Sequence, residues 1–343
     1  MNFVFYLQSG ISEKVLPDKY DGFYIAENIE SKGAVDQFYY PGDAVQSELD
    51  ELCVNLYDVF QDSIFPSRDD FYKNYAIQPQ WISRAGLDSD FEISKEQTKE
   101  WFSTPIQTRI KEMGIDSDEL LEVYEEIEAK KFKYAYVADC QSLINTLQEL
   151  LCGCHSSFIG FYKNLCSLPS VVPENGVYFQ CCASSRMVYS FLYSFIIQSY
   201  SIFDILTKIA YELEHLKICE SSYEKLSASN VLYKHKKELK IDATGTVFEK
   251  CYTTSIIMNL RNELVHNATW EMNPKIFIKT KDGKIIERYI LMPDFTEEGT
   301  LESFKNRKRF FANGSQINKK LPILYFDILQ RVNVTLKKLI CKS

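Results

Sequence analysis

From Cys181 to Leu216 the chain runs for 36 residues without a Gly or a Pro, and its apolar residues recur at helical spacing. Read as one helix, this stretch is roughly 55 Å long at 1.5 Å per residue. The same shortage of chain-breaking residues holds throughout, with 13 Gly and 10 Pro among 343 residues. So few cannot serve the many turns of an all-β sandwich or barrel, and a helix-dominated chain is left. Hydrophobic residues make up 45% of the chain, with 23 Phe and 22 Tyr among them, enough to build a large core and to exclude wholesale disorder. Collagen-like, coiled-coil rod and disulfide-scaffold readings fail on the same composition.

The segment Met187 to Phe203 is free of charge, yet four Ser, three Tyr and a Gln interrupt it. It also falls short of the ~20 apolar residues that span a bilayer, so a buried core helix is expected and no membrane partner. The ten cysteines are irregularly spaced, and the first residues carry no basic leader segment. Reduced thiols in a cytoplasmic protein are therefore expected.

Charge is unevenly distributed. Residues 1–220 hold 17 Lys and Arg against 34 Asp and Glu, a net of −17, whereas residues 221–343 hold 22 against 13, a net of +9. A basic part joined to an acidic remainder fits a region that meets a polyanion, although drift of charge along a chain gives the same numbers.

Along the chain, the first 40 residues show no sustained period, and helical spacing begins at Val45 to Phe60. Ser94 to Gln97 has a capping-box pattern, and Pro105 interrupts the helix it opens. Asp116 to Lys131 is an acidic amphipathic stretch, and Ala135 to Leu151 reads as a helix stopped near Gly153. Residues 167–180 read as a loop. Thr246 to Glu249 has a second capping-box pattern, from which a helix is expected to run to about Asn267. Asp282-Gly283 between two alternating runs predicts a β-hairpin over Lys275 to Leu291, and Leu321 to Leu339 forms a terminal helix. The fold class expected is all-α: a helical bundle over residues 131–343 with one long helix and an inserted hairpin. It follows a mainly helical, acidic region over residues 1–130 of unassigned role.

The candidate chemistry lies in Arg261-Asn262-Glu263-Leu264-Val265-His266-Asn267. On an α-helix Asn262 and His266 share a face, one turn apart. Arg261 lies about 140° around the axis from His266, within reach of its long side chain, and Leu264 and Val265 look inward. RNA cleavage without a metal needs a proton taken from the ribose 2′-hydroxyl, a proton given to the 5′-oxygen, and positive charge on the phosphoryl oxygens. His266 suits the proton steps, each worth roughly 10²–10⁴-fold. Arg261 suits the phosphate, and Asn262 can orient either. The negative end of the helix favours the protonated imidazole, as an acid requires.

The Arg-Asn-x-x-x-His string, late in a bundle with one very long helix, resembles the HEPN superfamily of helical RNases. Members occur in toxin–antitoxin, abortive-infection and CRISPR-associated systems. The resemblance implies a metal-independent endoribonuclease, without a cofactor, whose cleft forms between two HEPN units, and hence a homodimer using Arg261 and His266 from both subunits. It also implies a polar or acidic residue on the long helix facing the motif, for which Asp204 is the candidate. An antitoxin or other defence-system protein is the implied partner. Some members carry an adenylylated Tyr two residues after the His; this chain has Ala268 there. The alternative from another class is a HEPN-like module that binds RNA, a nucleotide or a protein without cleaving.

Lys305-Asn306-Arg307-Lys308-Arg309-Phe310-Phe311 sets four cations before two aromatics, as a single-stranded RNA contact requires. A solvated loop anchored by its two Phe fits equally. Lys234 to Lys237 is a second basic cluster, better read as a solvated helix face. Cys152, Cys154, His155 and Cys166 lack the spacing of a zinc site, and no metal ligand is assigned. Dinucleotide-binding, Walker, zinc-protease and nucleophile-elbow motifs are absent.

Overall fold

The structure is a computed structural model that describes residues 4–6, 12–17, 23–28, 37–41, 43–65, 118–166, 173–216, 239–267, 271, 273–305, 307–308 and 310–341. The helix expected from Ser94, its break at Pro105, the Lys234 to Lys237 cluster and Arg309 lie outside the described residues.

In chain order the elements are β1 (Val4–Tyr6), β2 (Ser12–Pro17), β3 (Phe23–Asn28), β4 (Gln37–Pro41), α1 (Asp43–Ile64), α2 (Asp118–Cys166), β5 (Gly176–Gln180), α3 (Ala183–Glu214), α4 (Tyr252–Asn262), a π-helical turn (Glu263–Asn267), β6 (Ile276–Lys281), β7 (Lys284–Tyr289) and α5 (Ile317–Cys341). The described chain is mainly helical. It divides into two compact units, one built from residues 1–52, 147–206 and 242–337, the other from 53–146, 207–241 and 338–343. No described helix is long and apolar enough to cross a membrane, and no disulfide links the described cysteines.

The start of the chain departs from the mainly helical expectation. Strands β1 to β4 form an antiparallel meander in sequence order, with Val15 opposite Ala26 and Tyr24 opposite Tyr40. Each strand has at most six residues, too short to show a sustained period. Runs such as Phe23-Tyr24-Ile25 and Phe38-Tyr39-Tyr40 carry the aromatic and β-branched residues that strands favour.

In the first unit the core is where α2, α3 and α5 meet. Phe158, Phe195 and Tyr325, one from each, pack with ring centroids 4.7 Å apart for Phe158–Tyr325 and 5.2 Å for Phe195–Tyr325. Helix α2 does not stop at Gly153 but runs on to Cys166. A Cβ at Gly153 would stand 2.7 Å from Oε1 of Gln198, and one at Gly160 would stand 2.6 Å from the Phe191 ring. These glycines admit α3 side chains against the α2 backbone. They are packing residues and not terminators.

Helix α5 begins at Ile317 and carries Pro322 in its interior. Proline has no N–H, so the carbonyl of Asn318 loses its helical donor. The buried Tyr162 hydroxyl donates to that carbonyl instead. Asn318 also ties the helix to the strand before it, accepting from the Ile290 amide at 3.2 Å and donating to the Arg288 carbonyl at 3.3 Å.

Residues 176–180, expected as loop, form the edge of a three-stranded antiparallel sheet ordered β5-β6-β7. Its hairpin turn uses Asp282 and Gly283 at φ 52° and 70°, the pair of positive values that a tight two-residue hairpin requires. Ile276, Ile278 and Thr280 of β6 are buried on one face. In the second unit the core includes Leu56, Phe60, Val137, Ile144 and Ile209, and the Tyr136 hydroxyl donates to the buried Glu212 carboxylate at 2.7 Å.

Candidate active site

The helix that carries the motif does not start at Thr246. That residue and Glu249 close turns instead: Glu249 accepts from the Gly245 amide at 3.0 Å, and the Thr246 hydroxyl accepts from the Phe248 amide at 3.1 Å. Arg331 of α5 donates to Glu249 at 2.7 Å and to the Thr246 carbonyl at 3.2 Å, and the Val247 amide donates to Thr335 at 3.1 Å. The Arg331 hydrogen bond holds the Glu249 carboxyl below the usual carboxylate range. With these groups engaged by α5, α4 begins only at Tyr252, where the Cys251 amide donates to the Thr254 hydroxyl at 3.1 Å.

Buried Thr253, Thr254, Ser255, Ile256 and Ile257 fix the first turns of α4 in the core. Gly299 presses on the same end, with φ 77° and a Cβ position only 2.6 Å from the Tyr252 carbonyl. The Asn259 amide spans the contact, donating to the Ser255 carbonyl at 2.8 Å and the Gly299 carbonyl at 3.1 Å. The motif therefore projects from a helix clamped at its start.

The α-helix gives way to a π turn at Glu263. A π turn closes its hydrogen bonds from i to i+5, which sets residues five apart over one another. Arg261 and His266 are five apart, and Arg261 Nη1 lies 3.0 Å from His266 Nε2. The same Nη1 donates to Asn262 Oδ1 at 3.1 Å. The contact fits the reach expected of the Arg261 side chain, and the same guanidinium holds Asn262 beside His266. A guanidinium only donates, so in this contact Nε2 of His266 stands as the acceptor.

The turn also rotates its neighbours. Val265, expected inward, is exposed, and Leu264 is half-buried. Glu263 is buried instead, accepting from Asn267 Nδ2 at 3.1 Å and pairing with Lys308 Nζ at 3.3 Å. That ion pair joins the motif to the basic loop 45 residues further on.

The loop is held from below by buried Asp294. Its carboxylate accepts from the amides of Ala312 at 2.7 Å and Asn313 at 3.1 Å, and its own amide donates to the Phe310 carbonyl at 2.8 Å. At the tip, Phe304 and Arg307 exchange backbone hydrogen bonds, with Lys305 at φ 45° between them. Lys305, Arg307 and Lys308 are exposed, as are Phe304 at 65% and Phe310 at 38%. Phe310 is therefore not a core anchor. Among the described residues of this loop, Phe304, Lys305, Arg307, Lys308 and Phe310 face solvent, and Phe311 is half-buried.

On α3 Tyr200 touches the motif: its ring lies 4.8 Å from the Arg261 guanidinium carbon, a cation–π contact. Asp204 follows one turn later on the same face of α3, half-buried. Tyr200 escaped the sequence reading because aromatic residues are frequent in that helix. Glu263 escaped it because a π turn leaves no periodic trace. Among the described residues, no group of three or more His, Cys, Asp or Glu side chains could hold a metal ion.

Comparison of the chain with known protein families, with curated proteins and with solved structures finds no match in any of the three.

Proposed function

We propose that the protein is a HEPN-like endoribonuclease that cleaves RNA without a metal, through Arg261, Asn262 and His266. The observation that carries this reading is the 3.0 Å contact between Arg261 and His266 on an exposed turn. A phosphate that draws the guanidinium onto its oxygens releases Nε2 of His266. The freed nitrogen takes the proton of the ribose 2′-hydroxyl, the 2′-oxygen attacks phosphorus, and the bond to the 5′-oxygen breaks. Arg261 stabilises the charge gathered on the phosphoryl oxygens, and Asn262 holds the guanidinium in place. In a homodimer the partner subunit's His266, protonated, supplies the proton to the departing 5′-oxygen. Lys305, Arg307 and Lys308 draw the flanking strand by its phosphates, with Arg309 in the same sequence run. Asp204 lies along the α3 face that supplies Tyr200. Such an activity suits a cytoplasmic toxin or anti-phage effector held in check by an antitoxin or another defence-system protein.

The test is incubation of labelled RNA with the protein in excess EDTA, beside an Arg261→Ala/His266→Ala variant. Products ending in 2′,3′-cyclic phosphate, absent with the variant, are expected. RNA bound but left intact by the parent protein would instead favour a binding module.

A further inference from the structure

The sheet β5-β6-β7 presents a second set of groups, separate from the motif. Directly opposed residues of an antiparallel pair share a face. Phe179 stands opposite Phe277, and Phe277 opposite Tyr289, so the three rings form one row across all three strands. Their centroids are 6.3 Å apart for Phe179–Phe277 and 5.3 Å for Phe277–Tyr289, the latter pair stacked at 13°. This is the face opposite buried Ile276 and Ile278. Phe179 is 56% exposed, and so is Val177 beside it. Cross-strand stacking accounts for Phe277 and Tyr289, but not for a large ring left open to water on an edge strand.

Lysines flank the row. Lys279 and Lys281 follow Phe277 at two-residue steps along the same side of β6, Lys279 opposite Glu287 and, past a bulge, Lys281 opposite Lys284. None of these three forms an ion pair among the described residues, whereas Glu287 on the same face is engaged by Lys319. Lys275, paired with Glu271, places its ammonium 5.7 Å from the centre of the Phe179 ring.

We propose that this sheet face binds single-stranded RNA, its aromatic row stacking bases and Lys279, Lys281 and Lys284 meeting the phosphates. Strands lie about 4.8 Å apart, so a row of three rings extends about 10 Å, room for two or three stacked bases. Lysines that form no ion pair among the described residues favour a polyanion over a protein partner, because lysine is depleted from the cores of protein–protein interfaces. The site goes beyond the cleavage motif and does not depend on cleavage. It would hold a strand that the motif cuts elsewhere.

The probe is a fluorescein-labelled 2′-O-methyl oligouridylate of about 12 nucleotides, which lacks the nucleophile for cleavage and so reads binding alone. Fluorescence anisotropy on the full-length protein should show roughly tenfold weaker binding for Phe179→Ala/Tyr289→Ala. Phe179→Trp should keep the parent affinity. Lys279→Gln/Lys281→Gln should reduce the slope of log affinity against log salt by about 1–2. Photo-crosslinking of 4-thiouridine RNA to the unaltered protein should label peptides from 176–180 or 276–289. Affinity within twofold of the parent in both double variants, or crosslinks confined to other peptides, overturns the site. So does a change in self-association with RNA affinity unchanged, which would make the face a protein interface. Intact RNA in the EDTA experiment removes the nuclease reading and leaves this one standing.

Discussion

Two arginines on facing parts of the first unit's sequence have opposite surroundings. Arg331 donates to two carboxylates, Asp327 at 2.8 Å and Glu249 at 2.7 Å, and to the Thr246 carbonyl. Those hydrogen bonds outweigh its desolvation and raise its pKa further above the ordinary arginine value. Arg261 contacts an imidazole, an amide and an aromatic ring. The nearby carboxylate, Glu263, is given to Lys308 and Asn267. A guanidinium matched by carboxylates is a strut between segments. One surrounded by neutral groups keeps its charge for an anion that arrives later.

Exchanging the two makes the largest difference. Arg261→Ala should lower RNA cleavage by roughly 10²–10⁴-fold with an unchanged melting temperature. Arg331→Ala should do the reverse, lowering the melting temperature while each folded molecule cleaves at the parent rate. Equal losses of activity in single-turnover assays would erase the contrast.

The clamp beneath Arg261 comes next. Gly299→Ala puts a methyl against the Tyr252 carbonyl at a positive φ. It should cost about 2–3 kcal/mol in denaturant titration and reduce cleavage by displacing the motif helix. At the start of the helix that carries Arg331, Tyr162→Phe strands the Asn318 carbonyl opposite Pro322. A loss of about 1–2 kcal/mol is expected, with cleavage retained.

The smallest effect is one of pH. Burial pushes the Cys154 thiol up to about 12 and the Tyr162 and Tyr325 phenols well above their ordinary values. The folded state therefore holds these protons where the unfolded chain releases them, from about pH 8.5 for a thiol and 10 for a phenol. This stability is complete below pH 8 and is lost as pH rises through the folded values. Melting curves should be flat from pH 6 to 8 and fall from about pH 9, on the order of 1 kcal/mol at first. Arg261 and Arg331 variants should share the fall equally, because neither arginine is among the groups that shift these three.

The long helix, the Asp282-Gly283 hairpin and the terminal helix were legible because periodicity and turn chemistry act within a few residues. The element boundaries that failed were decided by distant partners. Gly153 reads as a stop until Gln198 of α3 is seen to need its space. Thr246 and Glu249 read as a helix cap until Arg331 and α5 engage their segment. Pro322 sits inside a helix because Tyr162, 156 residues away, supplies the missing donor. In the motif the residue types and the reach of Arg261 to His266 were legible, but the π turn was not. One π turn sets Arg261 over His266, exposes Val265 and buries Glu263.

The central claim is that His266 does chemistry and is not merely part of a binding groove. Single-turnover cleavage and RNA affinity, measured on the same preparation of His266→Ala in excess EDTA, test it directly. The account predicts an affinity within a few-fold of the parent and cleavage reduced by at least roughly 10². Cleavage at the parent rate would contradict it.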